Sequence, residues 1–537
     1  MTLARAFSGK WPDNKWPDKW PDHLPRRAWL HALVLGVIAA CGFQPLGLWP
    51  LALIAMGLFA LQLSLTIGWR QAAWLGWLFG VGHFTLGNSW IATAFTYQAN
   101  LPPILGWPAV PLIALYLAVY PALAAGAARA IAGRRGGAVM ALALAGSWIV
   151  AEWLRSWVFT GYAWNPFGVV LLGPFDRPGL AAILPWMGTY ALSGLAVLIA
   201  AALMTALVQR RWLAAAFSAV LIAAGMYWPA APAEDGPVSV TVVQPDIRQE
   251  RLNDALFYES NFVRLAQLSG ALDQGDTRLV LWPESGMSDY LEEGYPQAYY
   301  NRTTALGSPE YARARIGQII GSRGMLLTGA QRLVIEDGRA SAAYNSVMAV
   351  SGGGTVEGVF SKEHLVPFGE YLPMRWLLEP LGLSRLVPGS IDFLPGTGPA
   401  TLDLGAHGLA GVQICYEIIF SGQVVDRAAR PDYIFNPSND GWFGSFGPPQ
   451  HFAQARLRAI EEGLPVLRST TTGISGVIDA HGVVRQYLGA HEMGRIDTRI
   501  PAAAAPTLFA RLGNILALCW ALVFLLTASV AMRKTAG

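Results

Sequence analysis

Eight long apolar stretches limit what this chain of 537 residues can fold into. They cover residues 28–43, 46–67, 72–95, 104–128, 138–159, 182–208, 213–228 and 512–532. Most reach the ~20 residues an α-helix needs to cross the hydrocarbon core of a bilayer. Backbone polar groups in that medium must be satisfied within their own segment, which makes helices the expected form. The sequence thus predicts a polytopic α-helical membrane domain of eight spans, seven in a row and one near the C-terminus. Charged residues make up only 14% of the chain against 53% hydrophobic ones, well below the quarter usual for soluble domains.

The charges between the stretches set an orientation. Arg26 and Arg27 precede the first, Arg70 follows the second, and Arg129, Arg134 and Arg135 follow the fourth. Arg210 and Arg211 follow the sixth, and Arg533 and Lys534 the eighth. The alternate loops hold almost none. The positive-inside rule then puts both termini in the cytoplasm and residues 229–510 on the opposite face. A net charge of +3, spread along the chain, offers no basic stripe for nucleic acid. Residues 1–27 carry Trp-Pro-Asp three times. This segment reads either as an interfacial anchor or as a disordered tail, and its proline density favours the tail. The run ending Ile38-Ala39-Ala40-Cys41 has the look of a lipoprotein signal, but further spans follow at once and a retained helix is the simpler reading. Glu152 and Arg155 stand at membrane depth, where ionisable groups are functional candidates. Their i, i+3 spacing favours a structural pair.

The segment 229–510 reads as α/β. Strand-like runs occupy 238–243, 278–281, 325–328, 346–350, 409–414, 433–435 and 476–479, with helical patterns at 253–268 and 451–462. Three reactive groups each stand just past an apolar run. Glu284 follows Val280-Leu281-Trp282-Pro283, where the proline keeps its predecessor extended and turns the carboxylate out at the strand end. Lys362 opens Lys-Glu-His-Leu-Val-Pro-Phe-Gly-Glu, which ends at Glu370. Cys415 follows 409–414 and precedes Tyr416 and Glu417. Taken singly, each has an ordinary explanation: a helix N-terminal carboxylate, a solvated lysine, a small buried thiol. Together, a base, a cation and a sulfur nucleophile are the parts for acyl transfer through a thioester. A nearby cation or base is needed to supply thiolate near neutral pH. The other cysteines, Cys41 and Cys519, lie in apolar stretches, so no disulfide framework is expected. No His/Cys cluster suggests a metal, and no cofactor is expected.

These segments resemble the carbon–nitrogen hydrolase (nitrilase-like) superfamily, whose Glu-Lys-Cys triad comes in this chain order. The likeness rests on Trp-Pro-Glu at 282–284, the Lys362–Glu370 run, Cys-Tyr-Glu at 415–417 and Ser-Asn-Asp-Gly-Trp-Phe at 438–443. Pro-Phe-Gly-Glu-Tyr-Leu-Pro at 367–373 and the eight-span frame resemble its membrane branch, the lipoprotein N-acyltransferases of the bacterial inner membrane. The resemblance implies an external nitrilase-like αββα sandwich with Glu284 as general base, Lys362 as oxyanion stabiliser and Cys415 as nucleophile. Glu370, Tyr416 and Glu417 match further functional positions. It divides the chain into a cytoplasmic tail (1–27), spans 1–7 (28–228), a periplasmic catalytic domain (229–510), and span 8 with the C-terminus (511–537).

The donor implied is a phospholipid, with phosphatidylethanolamine expected, attacked at its sn-1 ester. The acceptor implied is the α-amino group of a diacylglyceryl-modified N-terminal cysteine on an apolipoprotein. One departure is visible: some members carry a tryptophan within the stretch matching 248–254, and this chain has none there. A membrane-tethered amidase or nitrilase would use the same triad, but acting on soluble substrates it needs at most one anchor. A transporter or receptor with a degenerate sensor domain should show charges along its spans and a broken triad.

Overall fold

The structure, a computed structural model, describes residues 27–97, 102–230, 233–270, 277–378, 380 and 392–534. The Trp-Pro-Asp repeats lie outside the described residues.

Each of the eight apolar stretches becomes helical. Four helical segments are long and apolar enough to cross a membrane: Pro103–Ala132, Ala138–Arg155, Leu180–Val208 and Asn514–Arg533. Ala28–Ala40, Trp49–Ser64 and Trp212–Met226 are apolar but shorter, and Trp69–Gly87 contains Arg70, Gln71 and His83. The shortening has a backbone cause. Apolar composition runs on through turns, and between the first two helices Gly47 N–H bonds the Phe43 carbonyl and Leu48 N–H that of Cys41. On Trp49–Ser64, Leu51, Ile54 and Leu58 share one face and are exposed. An outward apolar stripe of this kind suits lipid and not water. The inward faces of these helices form one core with Phe59, Phe79, Trp148, Phe167 and Tyr190.

The second half of the chain builds two sheets. In chain order the strands are β1 (Asp235–Gln244), β2 (Arg278–Leu281), β3 (Gly324–Glu336), β4 (Arg339–Ser351), β5 (Val356–Ser361) and β6 (Asp392–Phe393). They continue as β7 (Thr401–Asp403), β8 (Leu409–Val412), β9 (Tyr433–Ser438), β10 (Val466–Thr470), β11 (Ser475–Ile478), β12 (Val484–Leu488) and β13 (Gly494–Pro501). One sheet runs β13-β1-β2-β3-β4-β5, with β6 beside β4, and the other β12-β11-β10-β9-β8-β7. Strand periodicity sorts the side chains. Leu279 and Leu281 of β2 join Val412, Phe435 and Leu467 in a core shared by both sheets. Val280 faces the other way, onto Phe262 and Leu265 of helix Tyr258–Ser269 and Ile316 of helix Pro309–Ile320.

Helix Gly447–Glu462 joins the two halves of the molecule. Phe452, Ala455 and Ala459 pack with the sheets. Ala453, Leu457 and Ile460, turned about a third of the way round, pack with the apolar helices. Arg456 sits between them and donates to the carbonyls of Gly173, Pro174, Arg177 and Gly482 at 2.7–2.9 Å. The i, i+3 pairing expected of Glu152 and Arg155 does not form. Glu152 accepts from Trp148 Nε1 (2.9 Å) and Phe167 N (2.8 Å), while Arg155 donates to the Trp164 carbonyl (2.7 Å). Both side chains hold the loop that follows their helix, because its backbone groups reach them before they reach each other.

Candidate active site

Glu284, Lys362 and Cys415 converge where β2, β5 and β8 end. After β2, Trp282 N–H still bonds the Leu327 carbonyl, and the chain then turns through Pro283. Glu284 is buried, not set out on a rim. The turn lies hard against β3 at Gly329, where a Cβ would come within 2.8 Å of Glu284 Cα and 2.6 Å of Ser285 N. Only glycine permits that approach.

Lys362 directly follows β5 and is 1% exposed. Its Nζ lies 3.0 Å from Glu370 Oε1 and Oε2 and 3.5 Å from Glu284 Oε1. Asn345 on β4 donates through Nδ2 to both carboxylates, at 2.8 Å each, and its carbonyl accepts from Lys362 N–H (2.8 Å). Glu284 Oε2 accepts from Asn439 N–H (2.8 Å), and Glu370 Oε2 from Val366 N–H (2.8 Å). Burial alone would lower the Lys362 ammonium, but Glu370 and then Glu284 outweigh it and push it up, so it stays charged.

Cys415 ends the β8 segment with φ +50°. That is a left-handed conformation a non-glycine residue keeps only under constraint. Glu417 supplies part of it: Oε2 accepts from Ile414 N–H (2.7 Å), and Oε1 from Glu363 and His364 N–H (2.7 and 3.2 Å). It thereby ties the lysine loop to the cysteine turn. Burial pushes the Glu417 carboxyl up to about 7, against these donors and Lys362. Tyr416 turns the other way, and its hydroxyl reaches the Gly161 carbonyl in the loop after helix Ala138–Arg155 (3.2 Å).

Of the cation and the base expected to supply thiolate, the cation does not do so alone in this resting site. Burial, then Glu284, pushes the Cys415 thiol up, while Lys362 and Ser438 pull the other way and lose. The thiol keeps its proton, and attack requires a base to take it.

Sequence reading missed Asn345, His451 and Arg468. His451, fully buried, bonds the Cys415 carbonyl through Nε2 (3.0 Å) and faces Asp440 through Nδ1 (3.1 Å). Arg468 Nη2 stands 2.8 Å from Asp440 Oδ2 and 3.0 Å from His451 Nδ1. Ligand atoms of Cys415, Asp440 and His451 fall within 4.8 Å of one another. The guanidinium, however, already takes the place a metal cation would need beside Asp440.

The profile for the apolipoprotein N-acyltransferase N-terminal domain matches residues 35–203, and that for carbon-nitrogen hydrolase matches 239–506. The apolipoprotein N-acyltransferase of Rhodopseudomonas palustris is 33% identical over 528 residues, covering 94% of each chain. The chain belongs to the apolipoprotein N-acyltransferase family. The Sinorhizobium medicae member is 36% identical over 476 residues, covering 82% of this chain and 81% of its own. Among solved structures, a mutant of the Nesterenkonia AN1 amidase from the nitrilase superfamily aligns with a TM-score of 0.35 at 18% identity, over 50% of this chain and 92% of that one.

Proposed function

We propose that this protein moves the sn-1 acyl chain of a membrane phospholipid, through a thioester on Cys415, to the α-amino group of the N-terminal diacylglyceryl-cysteine of apolipoproteins. One observation carries the reading: a thiol, a buried ammonium and a carboxylate share a closed site in a chain that matches its acyltransferase relatives across both halves.

Cys415 Sγ attacks the ester carbonyl while Glu284 takes the thiol proton. Lys362 meets the charge that develops on the carbonyl oxygen. The C–O bond then breaks, and the departing alkoxide takes the proton from Glu284 and leaves as lysophospholipid. The acceptor amine attacks the thioester next and gives its proton to Glu284, and the thiolate leaves and is reprotonated. Glu370 holds Lys362 in place, Glu417 holds the two loops together, and Tyr416 ties the turn to the membrane loop.

In the same reading the apolar stretches form eight spans, and residues 229–510 form an αββα domain on the periplasmic face of the bacterial inner membrane. Residues 1–27 form the cytoplasmic tail, residues 511–537 the eighth span with the cytoplasmic C-terminus, and phosphatidylethanolamine is the donor. A hydrolase would use the same cluster with water as acceptor. The likeness to acyltransferase relatives along the membrane half favours a lipid-borne acceptor. A transporter or receptor reading has no support from the intact cluster.

The test is a two-step chase. Enzyme is incubated with acyl-labelled phosphatidylethanolamine, freed of excess donor, and given a diacylated lipopeptide. The expected result is label on Cys415 by mass spectrometry, then on the peptide. Release of the label as free fatty acid, with the peptide unmodified, would establish the hydrolase instead.

A further inference from the structure

We propose that His451 is a positioning residue for the nucleophile: its Nε2–H holds the Cys415 carbonyl and so keeps the thiol in the turn from which it attacks. The proposal rests on the acyl-transfer reading for one of its two readouts.

Cys415 pays for its left-handed φ of +50° with strain, and such residues persist only where their surroundings fix them. Glu417 fixes the turn from the N–H side, through Ile414. On the carbonyl side of Cys415 the partner is His451 Nε2, at 3.0 Å. A carbonyl oxygen can only accept, so Nε2 carries the proton. Nδ1 stands between Arg468 Nη2, a donor at 3.0 Å, and Asp440 Oδ1, an acceptor at 3.1 Å; whether it accepts from the first as a neutral ring or donates to the second as an imidazolium, the Nε2 proton stays on the Cys415 carbonyl.

The rest of the cluster keeps the imidazole from turning. Arg468 is held by Asp440 (2.8 and 2.9 Å), by Asn436 and by the Ile474 carbonyl (3.2 Å). Ser438 Oγ donates to Asp440 (2.7 Å). Trp164 and Phe443 flank the ring, with centroids 5.2 and 5.6 Å away. Trp164 is itself held from the membrane half by Arg155 on its carbonyl (2.7 Å), and its Nε1–H reaches across to Gln450 of helix Gly447–Glu462 (2.8 Å). A buried histidine is often no more than a satisfied core residue. This one directs its Nε2–H at the nucleophile's own carbonyl, in a strained turn.

The experiment compares His451→Phe with His451→Gln in the full-length enzyme. Phenylalanine keeps a ring but has no donor, whereas the glutamine amide carries an N–H to about the Nε2 position. Two readouts are taken: kcat and donor KM for acyl transfer, and the rate at which methyl methanethiosulfonate modifies Cys415. For His451→Phe, kcat is expected to fall roughly a hundredfold, the loss typical of a small misplacement of a reacting group, with KM within about threefold of wild type. The rate of Cys415 modification should change with it. His451→Gln should recover most of both while the thermal midpoint follows neither. Wild-type kcat and thiol reactivity in His451→Phe would overturn the proposal, as would equal losses in the two variants. If His451→Phe does not fold, His451→Gln decides: near-normal turnover supports the proposal, and a collapse of turnover in a folded protein rejects it. Failure of the acyl-transfer reading would show separately, as a wild-type enzyme that transfers no acyl chain while the thiol readout still separates the variants.

Discussion

At the scale of single residues, Asn345 governs how the site's charges are held. Its one amide NH₂ serves both Glu284 and Glu370, and its carbonyl fixes the Lys362 backbone. Asn345→Leu would leave two buried carboxylates each short of a donor, at a cost of about 2–4 kcal/mol. A lower thermal midpoint in detergent and slower thioester formation in single-turnover assays are the expected results. A second prediction follows from the raised Cys415 thiol. A raised pKa means less thiolate at any given pH, so iodoacetamide at pH 8 should modify Cys415 at least about tenfold more slowly than free cysteine. Glu284 is one cause of the rise. Glu284→Gln should therefore speed alkylation while blocking charging by phospholipid, two effects of opposite sign in one variant. If alkylation slowed instead, Glu284 would be acting on the resting thiol as a base rather than as a repelling charge. The three reactive groups were legible in the sequence because each follows an apolar run that ends a strand. Asn345 was not, since its meaning lies in partners 61 and 25 positions away. His451 was hidden likewise, since it reads as one polar residue at the start of a helix.

At the scale of elements, local pattern served strands better than helix ends. All seven expected strand runs fall on or overlap observed strands, because alternating or continuous apolar residues leave few other options. Strand β10 escaped notice: Arg468, Ser469 and Thr470 look like surface residues, yet all are buried in polar networks. The helix expected over 451–462 begins earlier, at Gly447, with prolines at its first turn. Its burial on every side could not be inferred from its polar residues, because the groups that satisfy them are distant in sequence and several belong to the other half of the molecule. Glu461 shows how. Helix Leu184–Val208 is broken at Gly188 (φ 76°), and the nearby Thr189 N–H donates to Glu461 Oε1 (2.5 Å). Arg456 makes the larger connection. Arg456→Ala would strand the buried carbonyls of Gly173 and Gly482, release those of Pro174 and Arg177 and open a cavity, so a loss of about 3–5 kcal/mol is expected. Arg456→Lys should recover only part of it, since an ammonium has three donors and no planar fork. Unfolding followed by tryptophan fluorescence would measure both; an unchanged midpoint for the alanine variant would mean that water replaces the guanidinium at little cost.

At the scale of the whole molecule, the two halves are physically continuous, although composition divides them cleanly. The sheets look self-sufficient, with their own shared core and two helices on the outer face of the β1–β5 sheet. The opposite flank is different. There the helix Gly447–Glu462 gives Ala453, Leu457 and Ile460 to the core formed by the apolar helices. The first turns of the same helix carry Gln450 and His451, which reach Trp164 and the Cys415 carbonyl. Tyr416 adds a bond from the cysteine turn to Gly161. The membrane half thus buttresses the nucleophile as well as anchoring it. A fragment of residues 233–506, produced without the apolar helices, would expose that apolar face and lose the partners of Tyr416, Gln450 and Arg456 at once. It is expected to aggregate, or to stay soluble only in detergent, with Cys415 unable to form a thioester even from a short-chain, water-soluble ester. Substituting Leu457 and Ile460 with glutamine in the fragment should restore solubility by relieving the exposed apolar patch. It should not restore activity, because the missing hydrogen bonds come from Gly161, Trp164 and the 173–177 loop. The decisive measurement is therefore acylation of the soluble fragment by the short ester. Turnover comparable to the intact chain would mean that the membrane half contributes location alone, and no turnover would mean that it is part of the catalytic structure.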